Sequence, residues 1–198
     1  MNHNIPLWRM QTLFGHSGIS ATFWEKTMKI TIIGYSGSGK STLAQTIGQR
    51  KHIPVLHLDQ VHWLSGWVER KQIEEERIVT EFLNRNSSWV IDGNYSGICY
   101  ERRLSEADHI IFMNFNRFQC LFRAWKRFRK NAGKTRDSMT PGCPERFDAE
   151  FVKWILHDGR SKKHKANYNR IAKEYSDKVI LIKNQRQLTA YIQFSCPL

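Results

Sequence analysis

Apolar and polar positions along this chain alternate between two periods. Residues 29–33, Lys-Ile-Thr-Ile-Ile, form a β-branched run of strand length, after which Leu43, Ala44, Ile47 and Gly48 recur at helical spacing. Residues 53–59 read as a second strand that closes on Asp59, and Trp63, Gly66 and Trp67 follow in a loop. Ile73, Ile78, Val79 and Phe82 give residues 69–83 a helical period. Residues 88–95 read as a third strand, with Asp92 and then Gly93 near its end. Residues 109–115 form a strongly apolar fourth strand and 178–183 a fifth, before a short last helix over 185–194. Strands alternating with helices predict an α/β fold, a parallel sheet covered on both faces, with ligands at the carboxyl ends of the strands. Gly34, Asp59 and Asp92 lie at three such ends, so one crevice is expected to gather them.

Between the fourth and fifth strands the pattern changes. Residues 117–130 predict a basic amphipathic helix, with Phe118, Leu121, Phe122, Trp125 and Phe128 on one side and Arg123, Arg127 and Lys130 on another. The apolar side is expected to bury against the body while Arg123 and Arg127 turn toward the crevice. Residues 131–147, with the turn-forming Pro141-Gly142-Cys143-Pro144, have the length of a small basic lid. Helix resumes near Asp148, with Phe151, Trp154 and Ile155 on one face, and breaks near Gly159. Residues 1–27 contain Trp8, Phe14, Phe23 and Trp24 but no period, and lack the basic start and continuous apolar stretch of a signal peptide. They are expected to be a disordered extension ahead of one domain over 28–198.

Composition narrows the partners. A chain of 198 residues with 40% hydrophobic residues suits a single α/β domain with a sizeable core. There is no apolar run of roughly eighteen residues, so no membrane span is expected. Cys99, Cys120, Cys143 and Cys196 form no C-x-x-C pair, which argues against a zinc site or a disulfide framework and suits the cytoplasm. The net charge of +13 points to polyanionic partners, nucleotide phosphates or nucleic acid. Much of it is concentrated in Arg117 to Arg136 and again in Arg160 to Lys173.

The chemistry is clearest where the first strand meets the first helix. Gly34, Gly39, Lys40 and Ser41 satisfy G-x-x-x-x-G-K-[ST], with strand before and helix after. In such a loop the backbone of Gly34, Tyr35, Ser36, Gly37, Ser38, Gly39, Lys40, Ser41 and Thr42 curls so that N–H groups point at phosphate oxygens. The helix adds its positive N-terminal end. Lys40 can reach the β- and γ-phosphates of ATP, and the Ser41 hydroxyl can ligand Mg²⁺.

Several strings together resemble the adenylate-kinase-like small P-loop kinases, and more narrowly the DNA topology modulation proteins. They are the phosphate loop, then Pro54-Val55-Leu56-His57-Leu58-Asp59 with Trp63 and Gly66-Trp67-Val68, Trp89-Val90-Ile91-Asp92-Gly93-Asn94-Tyr95, and Gly133-Lys134-Thr135-Arg136 with Gly142-Cys143-Pro144-Glu145. The resemblance spans residues 28 to about 183. It implies a five-stranded parallel sheet with a lid, like that of nucleoside monophosphate kinases, using ATP and Mg²⁺. Adenylate kinases follow the third-strand Asp-Gly with Phe-Pro-Arg, whereas here Asn94-Tyr95-Ser96 follow, so the resemblance does not carry AMP over as the acceptor.

Asp59 stands where nucleoside and shikimate kinases place an acceptor-binding or base carboxylate, and can take the proton of an attacking hydroxyl; a helix-capping or turn Asp is the alternative. Asp92 can hold a Mg²⁺-bound water, or merely precede the turn at Gly93. Arg123 and Arg127 can neutralise charge on the transferred phosphoryl group, or line a solvated helix face. Trp63, Trp67 and Tyr95 can stack on an acceptor ring or pack in the body. His57 and His62 flank Asp59 without a third ligand, so a metal site there is not expected. Two function classes remain open. One is an ATP-dependent kinase acting on a nucleotide, nucleoside or other small acceptor. The other is a nucleic-acid-binding ATPase or regulator whose basic helix grips DNA. Arginines turned into the crevice favour the first; an outward stripe joining Lys126, Arg129 and Lys162 to Lys165 favours the second.

Overall fold

The computed structural model describes residues 27–195; the expected extension over 1–27 lies outside the described residues apart from Thr27, as does Cys196. In chain order the elements are β1 (Lys29–Gly34), α1 (Lys40–Lys51), β2 (Val55–His57), α2 (Leu58–His62), β3 (Trp63–Leu64), β4 (Val68–Glu69), α3 (Gln72–Arg85), β5 (Trp89–Asp92), α4 (Tyr100–Glu106), β6 (His109–Met113), α5 (Arg117–Lys130), α6 (Ala149–Leu156), α7 (Lys162–Glu174), β7 (Val179–Ile182) and α8 (Gln185–Ser195). Five strands form one parallel sheet in the order β2-β5-β1-β6-β7. The central strands β1, β5 and β6 are buried almost throughout, which requires helices over both faces. This is an α/β fold built on a five-stranded parallel sheet, with the glycine-rich loop after Gly34 at the end of the middle strand.

Three expectations need correction. The second strand ends at His57, and Asp59 sits in the first turn of the short helix α2. The reason is the edge position of β2, which pairs with β5 only as far as His57 beside Asp92. Residues 63–69 are not an open loop but a hairpin, Trp63 pairing with Glu69 and Leu64 with Val68. Gly66 and Trp67 make the reversal with positive φ of 76° and 64°.

The third correction concerns α5. Its bounds match the pattern, and the Asn116 side chain caps it by accepting from the Phe118 N–H at 2.9 Å. Much of its apolar side, however, faces out: Phe118 is 68% and Phe122 60% exposed and Trp125 is exposed too, while Leu121 packs on the core and Phe128 stacks on Phe147. The buried residues are the small Cys120 and Ala124. A Cβ on Gly37 would stand only 2.4 Å from the Cys120 carbonyl oxygen. So close an approach between helix and phosphate loop admits only small side chains, and the large aromatics are displaced outward.

Arg103 in α4 is fully buried. Its Nε donates to the Ile98 carbonyl at 2.9 Å and its Nη2 to the Tyr95 carbonyl at 2.6 Å, so it ties down the turn that carries Tyr95. Nη1 has no hydrogen-bond partner among the described residues, and burial pushes the pKa down to about 10. Arg103→Met should lower unfolding free energy by about 1.5–3 kcal/mol, the scale of hydrogen bonds to a charged group. Urea denaturation measures it, and an unchanged midpoint would refute the tether.

Candidate active site

The phosphate loop is held from both ends. Gly37 and Gly39 have positive φ of 77° and 98°, the left-handed region that lets the chain curl, and Gly39 caps α1. Ser38 N–H donates to the Tyr35 carbonyl at 3.1 Å. The Lys40 ammonium donates to the same carbonyl at 3.1 Å. Burial lowers the Lys40 pKa, and the nearby carboxylates of Asp59 and Asp92 oppose the fall. Ser38 is buried, and its hydroxyl has no partner among the described residues. Curled glycines, an ammonium parked on a carbonyl and an unsatisfied hydroxyl fit a phosphate-binding loop.

The parallel register sets His57 next to Asp92. Asp92 is buried; one of its oxygens faces His57 Nδ1 in a short contact, and the other accepts from Ser41 Oγ at 2.8 Å. Ser41 thus has a carboxylate behind it, the arrangement expected of a Mg²⁺ site that keeps several waters. Among the described residues no group of three or more His, Cys, Asp or Glu side chains would hold a metal by itself. Asn94 closes the back of the loop, accepting from the Gly34 N–H at 2.9 Å and donating to the Gly34 carbonyl.

Across the cleft, Asp59 is held on both oxygens. Tyr95 OH donates to Oδ1 at 2.8 Å and Arg136 Nη2 to Oδ2 at 3.1 Å. Glu145, nearly buried, accepts from Arg127 Nε at 3.0 Å and lies 3.1 Å from Arg136 Nε in an ion-pair contact. Burial lowers the Arg127 pKa, Arg136 lowers it further, and Glu145 opposes both. Arg123 donates from Nη1 to the Ser38 carbonyl at 2.7 Å and from Nη2 to Gln185, with its guanidinium 4.2 Å from the Phe115 ring centroid. Both arginines therefore turn inward, Arg123 onto the phosphate loop and Arg127 onto the segment over 131–147. That segment is pinned: Thr140 Oγ1 donates to the Trp63 carbonyl at 2.5 Å, and the Gly66 N–H donates to the Gly142 carbonyl at 3.1 Å. One open cleft of about 1730 Å³ is lined by Lys40, Ser41, Asp59, Asp92, Arg123 and Arg127 among others.

No family model matches the chain. It is 34% identical over 71 residues to an uncharacterized protein, YqaC, of Bacillus subtilis (strain 168), a stretch that covers 34% of this chain and 39% of that relative. The matched region thus spans about two fifths of the curated relative's length. Among solved structures, an uncharacterized protein from Eubacterium ventriosum ATCC 27560 is similar with a TM-score of 0.49 and 17% identity, over 83% of this chain and 94% of that one. Shikimate kinase from Bacteroides thetaiotaomicron is similar with a TM-score of 0.46 and 14% identity, over 84% of this chain and 94% of that one.

Of the residues singled out from the sequence, Tyr35 takes the least expected place. Its ring is buried against Tyr168, 5.2 Å between centroids, so only its backbone belongs to the cleft. Thr42 lies exposed on α1. Trp63 and Trp67 meet edge to face at 5.4 Å, and Arg146 covers Trp67 at 4.7 Å. Sequence reasoning missed Glu145, Asn94, the pairing of His57 with Asp92, and Trp154, whose Nε1 donates to Ser36 Oγ at 3.1 Å. The departure Asn94-Tyr95 from Phe-Pro-Arg was the one available signal: both residues contact the site. Glu145 closes the string Gly142-Cys143-Pro144-Glu145, but no local pattern gave it a role, because its partners lie on α5 and nine residues back in the same segment. Among the described residues no helix is long and apolar enough to cross a membrane.

Proposed function

We propose that this protein is an ATP-dependent kinase that moves the γ-phosphoryl group to a hydroxyl of a small acceptor, a nucleotide, nucleoside or similar compound. The observation that carries the reading is the common cleft. A phosphate loop with Lys40 stands on one side, and a carboxylate, Asp59, fixed by Tyr95 and Arg136, stands on the other. On this reading Lys40 and Arg123 bind phosphate oxygens, and Asp59 takes the proton of the attacking hydroxyl. Ser41 and Asp92 would hold Mg²⁺, which when bound neutralises charge across the β- and γ-phosphates. Arg127 and Arg136, balanced by Glu145, orient the acceptor side. The resemblance of the phosphate loop, basic helix and lid to the adenylate-kinase-like small P-loop kinases supports the same assignment, and the scattered cysteines suit the cytoplasm.

A second reading rests on the outward face of α5. Arg129 is exposed there beside Phe118, Phe122 and Trp125, with its guanidinium 5.3 Å from the Trp125 ring centroid, whereas the exposed Lys126 lies at the rim of the cleft; such a mixture of cation and rings suits nucleic acid. One pair of variants separates the two. Arg123→Ala should lower phosphoryl transfer by at least about tenfold, because its contact strengthens as charge develops, and should leave DNA affinity mostly intact. Arg129→Glu with Lys162→Glu, both exposed and outside the cleft, should leave turnover near native. If the second reading holds, this pair instead weakens DNA binding and makes its salt slope shallower, while Arg123→Ala leaves turnover unchanged.

A further inference from the structure

A second cavity, of about 600 Å³, opens behind the phosphate loop, between the start of α5 and α7. Tyr35 links the two: its carbonyl accepts from Lys40 on the cleft side, while its ring helps floor this cavity with Tyr168. The lining carries four cations, Arg117, Arg160, Lys165 and Lys183, and no carboxylate. Arg160 is fixed there, with its guanidinium 3.6 Å from the Tyr35 ring centroid and Nη2 donating to the Phe115 carbonyl at 2.9 Å. Arg117, Lys165 and Lys183 make no salt bridge among the described residues, whereas Arg170, Lys29 and Arg102 on the same molecule are each paired with Glu. Four like charges around one concavity repel one another, and an anion relieves that repulsion. The N-terminal end of α5, a helix of 14 residues, adds its partial positive charge at Asn116 and Arg117.

We propose that this cavity is a second anion site, which takes a small phosphorylated compound independently of the phosphate loop. Its volume lies within the range of small-molecule pockets. The cations meet the phosphate, and the aromatic floor meets a planar or apolar body attached to it. Free pyrophosphate and an aromatic phosphomonoester share this chemistry, and the floor favours the ester.

The test is calorimetric titration of the full chain, saturated with Mg²⁺ and a non-hydrolysable ATP analogue to fill the phosphate loop. The probes are pyrophosphate and phenyl phosphate. At least one should bind the native chain, and Lys165→Glu with Lys183→Glu should raise that Kd at least about tenfold, as expected when two charge-assisted contacts are removed. Arg85→Glu with Lys173→Glu makes the same change in net charge at exposed positions outside the cavity, and should alter Kd by no more than about twofold. Failure of the native chain to bind either probe overturns the proposal. So does unchanged affinity in the Lys165/Lys183 variant, or an equal loss in the control pair.

Discussion

Asp59→Asn should slow phosphoryl transfer by about 10²–10⁴-fold, the usual contribution of a positioned general base. The substitution is chosen for its shape. An asparagine oxygen still accepts from Tyr95 or Arg136, which hold the carboxylate at 2.8 and 3.1 Å in the native chain. What disappears is the basic oxygen that receives the acceptor's proton. Asp59 lies on α2 and makes its hydrogen bonds to Tyr95 and Arg136, none to the phosphate loop, so affinity for ATP should stay within a few-fold of native. A melting temperature near native would exclude unfolding as the cause. Native-like transfer by Asp59→Asn would leave the residue a helix-terminus carboxylate and remove the base from the proposed mechanism.

Lys40→Ala should lower ATP turnover by at least about a hundredfold, comparable to removing one preorganised donor from a developing charge at about 2.7–4 kcal/mol. The native side chain is desolvated and rests on the Tyr35 carbonyl, so little reorganisation is needed for it to meet phosphate. Negative charge there would favour its ammonium form and reverse the effect of burial. In contrast with Asp59→Asn, both nucleotide affinity and turnover should fall, because Lys40 contacts phosphate before and during transfer. The fold should survive, since the lost hydrogen bond is one of two to the same carbonyl. Equilibrium binding of a fluorescent ATP analogue and a coupled turnover assay, on the same preparation, check both halves. If neither changes, the loop does not bind nucleotide as proposed.

Local pattern alone determined the α/β class, the five strands, the phosphate loop and the bounds of α5. These depend on chain-local causes: a β-branched run makes a strand, glycines permit the curl, and a 3.6-residue period makes a helix. It also brought Gly34, Asp59 and Asp92 to one end of a parallel sheet, because strand direction fixes which end is which. Tertiary structure alone decided which side of α5 faces inward. An amphipathic period tells which residues share a side, but not that Gly37 draws the backbone at Cys120 so close that only small residues fit between. Likewise, no spacing pairs Glu145 with Arg127 and Arg136, or sets His57 beside Asp92. The first needs the segment over 131–147 to fold back on α2 and the β3–β4 hairpin, and the second needs β2 to lie against β5 rather than β1. Those are choices of packing between distant parts of the chain, where the energy lies in contacts that no window of neighbouring residues contains.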